Sequence, residues 1–272
     1  MKKYSVLMSL YAKEKAEYLK QSIESMLSQT VKPDEIVIVK DGPVTKELEL
    51  VLWEYVNNYP GLFNIVISKE NIGLGLALNL GLEKCKNDLV ARMDTDDISL
   101  PDRCEKQLLA FEKDSDLVIV GSYVDEFYED HSKIISSRVV PTGYKEIYEF
   151  AKRRSAFNHP TVMYKRSIVL GCGGYGNLRR NQDVDLFGRM LFAGYKAVNI
   201  GEALLLFRSN EALLKRRRSW ENTKSYIMTI NKLHKIGYAG FADYIIVVIA
   251  QGLMFICPIR LQNFIYKKFL RK

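Results

Sequence analysis

Short apolar runs alternate with stretches whose apolar residues recur at helical spacing, and this alternation leaves the chain few folds to choose from. YSVLMSL from Tyr4 and EIVIVK from Glu35 read as buried strands, and between them Ala16, Leu19, Ile23, Met26 and Leu27 keep the period of one helix face. The pattern repeats. Leu48, Leu52, Tyr55 and Val56 predict a helix, FNIVIS a strand, Leu74 to Cys85 a helix, and DLVARM another strand. A helix from Pro101 to Lys113, with proline at a favoured early position, precedes the strand DLVIVGSYV. The expected class is α/β, a mostly parallel sheet with helices on both faces. Such sheets bind ligands beyond the carboxyl ends of their strands, so the polar residues there are the candidates.

Length and charge bound the rest. With 272 residues, 47% of them hydrophobic, the chain can bury one large core or two small ones. Cys85, Cys104, Cys172 and Cys257 form no C-x-x-C pair, which argues against a zinc knuckle or a disulfide framework and favours a reducing, cytoplasmic setting. The opening MKKYSVLMSL is basic and then apolar, but Tyr11, Lys13, Glu14 and Lys15 interrupt it too soon for a signal peptide. Charge divides the chain: residues 1–209 carry a net −1 and residues 210–272 a net +9. We therefore expect a main domain over 1–209 and a basic, partly apolar helical extension over 210–272.

Three rim segments stand out. Asp41-Gly42-Pro43 follows the second strand, where ordinary turn chemistry explains it equally well. Gly73 and Gly75 suggest a phosphate-binding loop, but Leu78 stands where the dinucleotide fingerprint needs glycine. After the fourth strand come Asp94, Asp96 and Asp97. Asp97 or Ser99 could cap the helix that starts near Pro101, which explains one acid but not three. Two carboxylates spaced D-x-D on a turn suit Mg²⁺ or Mn²⁺, a hard cation that completes its shell with phosphate oxygens. A diphosphate ligand is the expectation.

Taken in order, YSVLMSLYAKEKAEYLKQSIESMLSQT, PDEIVIVKDGP, ENIGLGLALNLGL, ARMDTDD, NHPTVMYKRSIVLGCGGY and NQDVDLFGRML resemble the family 2 glycosyltransferases of the GT-A fold, in the bacterial surface-polysaccharide branch that includes amylovoran-type enzymes. The resemblance implies an inverting, metal-dependent transfer of sugar from a nucleotide-sugar, UDP-linked in the first instance. Asp41 then recognises the uracil, with Gly73 also on the donor side. Asp94 and Asp96 hold Mn²⁺ or Mg²⁺ and through it the diphosphate, and Asp183 is the general base. His159 and Asp185 become acceptor-side candidates, and Arg208 and Arg217 candidate diphosphate contacts. Two departures concern the donor more than the reaction: Lys40 and Pro43 flank the first motif where an acid and a serine are common, and Gln182 precedes the base in place of glutamate.

A lone histidine such as His159 is more often structural than catalytic. The glycine-rich stretch Gly171 to Asn177 suits a flexible loop leading to the base. In the tail, LLKRRRSW reads as a solvated face or a closing segment, and Tyr244 to Ile259 is an apolar run of 16 residues, short of the roughly 20 a spanning helix needs. It can be a buried core helix, a slightly extended membrane span, or an element lying on a bilayer with its cations on anionic headgroups, the reading we favour. Its aliphatic block does not fit nucleic acid, which would call for aromatics interleaved with cations. The partners expected are a nucleotide-sugar donor, a polyprenyl-diphosphate-linked saccharide acceptor and the inner face of the cell membrane. Glycoside hydrolysis fits poorly with a metal-bound acid pair. A sugar nucleotidyltransferase lacks its glycine-rich loop near the first strand, and a non-catalytic nucleotide-sugar-binding module is the remaining alternative.

Overall fold

The computed structural model describes residues 2–209 and 219–257. Its parallel half matches the expected alternation: β1 (Tyr4–Leu10), α1 (Ala16–Leu27), β2 (Glu35–Asp41), α2 (Lys46–Asn58), β3 (Phe63–Ser68), α3 (Leu74–Lys84) and β4 (Leu89–Met93). β2 and β4 flank β1 in parallel, and β3 extends the set beyond β2. The carboxyl ends of β2 and β4 therefore open on one rim, which carries Asp41 and the aspartates after Met93.

Beyond β4 the sheet is mixed. The further elements are β5 (Ile98–Ser99), α4 (Arg103–Lys113), β6 (Leu117–Phe127), β7 (Ser136–Arg138), α5 (Tyr144–Ala151), β8 (Met163–Lys165), α6 (Arg166–Gly171), α7 (Gln182–Phe192) and β9 (Lys196–Arg208). The strand order is β3-β2-β1-β4-β8-β6-β9-β5, with β7 on β6. β8 runs antiparallel to both β4 and β6, whereas β6 and β9 pair in parallel over most of their length. That long pairing, and the antiparallel β5–β9 bridge, deliver the end of β9 to the aspartate loop. α4 begins at Arg103, two residues later than expected, with Pro101 in the preceding turn.

Period-two alternation assigns each strand residue to a face. Leu7, Val37 and Val39 join Leu78, Leu82, Leu186 and Leu191 in one core cluster. Val6, Met8, Ile36 and Ile38 join Leu19, Ile23, Leu52 and Leu108 in the other. α3 lies so close to the sheet that a Cβ on Gly81 would sit 2.3 Å from Leu7 Cδ1. A side chain there would force Leu7 and Val39 to repack.

Two further helices, α8 (Trp220–Lys235) and α9 (Phe241–Ile256), cover the first face, with Ile230, Leu233 and Val247 in its cluster. α9 is not the buried core helix that was one reading of the apolar run: Val247 is its one buried residue, and Phe241, Ile249, Leu253 and Ile256 stand exposed. Among the described residues no helix is long and apolar enough to cross a membrane.

Candidate active site

Asp41 is 4% exposed, and its carboxylate organises the loop that opens α3. Oδ1 accepts the Ile72 N–H at 2.7 Å, and Oδ2 accepts the Gly73 N–H at 3.1 Å and Asn71 Nδ2 at 3.0 Å. Two lone pairs on each oxygen leave Oδ1 one more to give. The loop comes so close that a Cβ on Gly42 would lie 2.8 Å from Asn71 N, and Gly42 has φ +85°. Both facts demand glycine at this turn.

Across β1, ligand oxygens of Asp94, Asp96 and Asp97 all fall within 4.8 Å of one another. Burial, then the charges of Asp94 and Glu14, push the Asp96 carboxyl up to about 7. Burial and its two neighbours raise Asp97 well above the carboxylate range. Asp97 Oδ2 is buried and accepts no hydrogen bond. The oxygen-only chemistry of such a set fits Mn²⁺ or Mg²⁺.

The loop is gripped from several elements. Arg92, buried in β4, ion-pairs with Asp94. Ser22 of α1 donates to the Asp94 carbonyl at 2.6 Å, and Thr95 donates to Glu14 at 2.9 Å. From the end of β9, the Arg208 N–H reaches Asp97 Oδ1 at 2.8 Å and its Nε reaches the Asp96 carbonyl at 2.8 Å. The Arg208 guanidinium also donates to Gln21 and lies 3.9 Å from the Tyr18 ring centroid and 4.6 Å from that of Phe127. Arg208, the candidate diphosphate contact, thus holds the acid loop through its backbone N–H and its guanidinium. Asp97 belongs to the acid cluster and not to a helix cap, while Ser99 bonds with Ser25 and Gln29.

Asp183 lies in the first turn of α7, half-buried and on the wall of a cavity of about 790 Å³. Burial raises its carboxyl above the usual range, against the lowering effect of the Val184 and Asp183 N–H groups, Arg92 and Arg138. Arg92 acts electrostatically on Asp94, Asp97, Tyr175 and Asp183 alike, so one buried cation joins the acid cluster to Asp183. His159 contacts the Tyr175 hydroxyl through Nε2 at 2.8 Å, and burial and Arg92 keep it neutral. It packs against Phe187 and serves as a structural partner of Tyr175.

Two expectations are corrected here. Asp185, an acceptor-side candidate, is fully buried: its carboxylate meets Arg189 at 2.9 Å and Lys232 at 2.7 Å, which ties α7 to α8. The Gly171–Asn177 loop is pinned and not free. Asn79 of α3 accepts the Tyr175 N–H at 2.8 Å and donates to its carbonyl at 2.9 Å, and Arg189 donates to the Cys172 and Gly174 carbonyls. Arg217 lies outside the described residues.

Known proteins resemble the chain over most of its length. Residues 5–171 match the family described as Glycosyl transferase family 2. The chain belongs to that family. This family 2 glycosyltransferase is 36% identical over 265 residues to the amylovoran biosynthesis glycosyltransferase AmsE of Erwinia amylovora, covering 97% of this chain and 98% of that one. It is 35% identical over 271 residues to the UDP-Gal:α-D-GlcNAc-diphosphoundecaprenol β-1,3-galactosyltransferase of Escherichia coli, with 99% and 97% covered. Among solved structures, the mannosyltransferase PcManGT from Pyrobaculum calidifontis, in complex with GDP-Man and Mn²⁺, shares the fold with a TM-score of 0.67 at 15% identity, over 94% of this chain and 70% of that one. The glycosyltransferase thus has the GT-A architecture, its mixed sheet included.

Sequence reasoning missed Glu14, Arg92, Asn71 and Asn79. Arg92 left one signal, a lone cation in an otherwise apolar strand, VARM. The others act through contacts that no spacing reveals.

Proposed function

We propose that this glycosyltransferase transfers a sugar from a UDP-linked donor to a lipid-linked saccharide, with inversion at the anomeric carbon, while resting on the inner face of the cell membrane. The observation that carries the reading is the pairing of an acid triad on the carboxyl rim with a half-buried aspartate on a large cavity, both within reach of Arg92. The donor assignment draws on the Escherichia coli relative, whose name specifies UDP-Gal and a diphosphoundecaprenol-linked acceptor.

In this reading the remaining Oδ1 lone pair of Asp41 receives the uracil N–H, and Gly73 brings the start of α3 against the donor. Asp94 and Asp96, with Asp97 beside them, hold Mn²⁺ or Mg²⁺. Bound there, the cation offsets charge on the departing diphosphate. Asp183 accepts the proton of the acceptor hydroxyl as that oxygen attacks the anomeric carbon opposite the leaving group, and the carbon–oxygen bond to UDP breaks. The raised Asp183 carboxyl makes it a better base than an exposed aspartate. The main domain is taken to end near residue 209. Beyond it, the exposed stripe Phe241, Ile245, Ile249, Leu253 and Ile256 of α9 and the basic residues that follow suit a bilayer surface.

A panel of nucleotide-sugars incubated with the protein and Mn²⁺ tests the reading through release of UDP or GDP. UDP release from one sugar, lost on chelation, is the expected result. Release without chelator sensitivity removes the metal; no release from any donor leaves an obligate lipid acceptor or a binding module, and membrane extract added to the same panel separates the two.

A further inference from the structure

The cavity beside Asp183 has two kinds of wall. Its charged lining residues are Arg138, Arg153, Arg154 and Asp183, three cations to one acid among the described residues. Arg138 is occupied by Glu126 and Asn158. Arg153 and Arg154 lie on the turn that ends α5, and both donate their backbone N–H to the Phe150 carbonyl, at 3.1 and 3.0 Å. Tyr226 of α8 fixes that turn by donating its hydroxyl to the Arg153 carbonyl at 3.1 Å. Both arginine side chains are exposed to solvent. The Arg154 guanidinium lies over the Phe150 ring, and Arg153 ion-pairs with Asp243 in the first turn of α9. α9 also lines the cavity, with Ile246, Ala250, Leu253, Met254 and Phe255.

A cavity lined by guanidinium-bearing residues, by the hydrocarbon of α9 and by a candidate base suits an amphiphile with an anionic head. Guanidinium grips phosphate through paired, charge-assisted hydrogen bonds without any metal. The acid triad already supplies a place for one diphosphate, through a cation, and it repels a bare one. We propose that Arg153 and Arg154 bind the diphosphate of the lipid-linked acceptor, that the cavity side of α9 seats the first units of its hydrocarbon chain, and that the sugar so held presents its hydroxyl to Asp183. This assignment rests on the glycosyl-transfer reading and adds to it a place for the acceptor, its anionic group and its chain.

Calorimetry with farnesyl diphosphate, a lipid diphosphate that carries no sugar, tests the site in EDTA, where the triad holds no cation. The wild-type protein should bind it, and inorganic diphosphate more weakly. Arg153→Gln and Arg154→Gln should each weaken farnesyl diphosphate by about tenfold, the loss of one charge-assisted contact. Leu253→Asn should weaken farnesyl diphosphate and leave inorganic diphosphate unchanged. Thermal melting checks folding, which matters for Arg153 because of its pair with Asp243; Arg154→Gln leaves that pair intact. Absence of wild-type binding, or binding as tight as wild type in both arginine variants, overturns the proposal. Loss of binding to anionic vesicles in those variants, with farnesyl diphosphate binding intact, reassigns the arginines to the bilayer and overturns it as well. The outcomes separate from those of the donor panel: UDP release without lipid binding sinks this site alone, and lipid binding without release from any donor, even with membrane extract present, sinks the glycosyl-transfer reading.

Discussion

Asp183 and Asp41 are both aspartates at the start of a loop or helix, yet their surroundings give them opposite tasks. Asp41 accepts three N–H bonds and holds a loop; Asp183 is raised by burial and faces a cavity. Asp183→Asn should lower transfer by at least about a hundredfold, the lower range for a general base, with UDP affinity unchanged. Steady-state transfer and calorimetry measure the two, and near wild-type turnover removes the base assignment. In the intact enzyme, the pH profile of kcat/KM should lose activity on the acid side, with an apparent pKa above the ordinary aspartate range, because a raised carboxyl is protonated earlier as pH falls. Gly42→Ala should cost about 1–3 kcal/mol of stability from its positive φ alone, measured by denaturant unfolding. The family motifs made these aspartates legible in the sequence. Asn71, Asn79 and Glu14 were not, since their roles are hydrogen bonds and charge effects between segments far apart in the chain.

At the level of elements, the acid loop depends on a strand whose end lies more than a hundred residues away. Arg208 closes β9 and bonds to Asp96, Asp97 and Gln21 while lying between Tyr18 and Phe127. Arg208→Met keeps a long side chain but loses these guanidinium bonds, so it should lower the affinity for Mn²⁺ measured without nucleotide. A diphosphate contact would leave that affinity unchanged and lower only the affinity for UDP. Nothing local distinguishes the two roles. β1, β2, β4 and β6 were legible as buried apolar runs beside helical periodicity, and the half-buried β3 as a short apolar run between two helices, whereas β9, parallel to β6, left no such signal in KAVNIGEALLLFR. β5, β7 and β8 are two or three residues long, too short to show a period, and they turn the sheet from parallel to mixed.

For the molecule as a whole, the acid cluster links folding to pH and to metal. Asp96 and Asp97 have folded-state carboxyls raised above their unfolded value, so without a cation the folded state binds more protons than the unfolded chain. Their contribution to stability is then complete at low pH and is lost as pH rises from about 4, the ordinary carboxylate value, through about 7, where Asp96 titrates. A bound cation reverses the effect, because it binds the ionised carboxylates and is displaced by protons. Melting followed by calorimetry should therefore show a Tm increase on adding Mn²⁺ that is small at about pH 5 and large at about pH 8. Asp96→Asn removes one of the crowded charges. It should raise the metal-free Tm at the higher pH, shrink the Mn²⁺ increment and abolish Mn²⁺-dependent UDP binding. An increment that is the same at both pH values, or undiminished in Asp96→Asn, would place the cation elsewhere in the molecule and leave the triad without its proposed role.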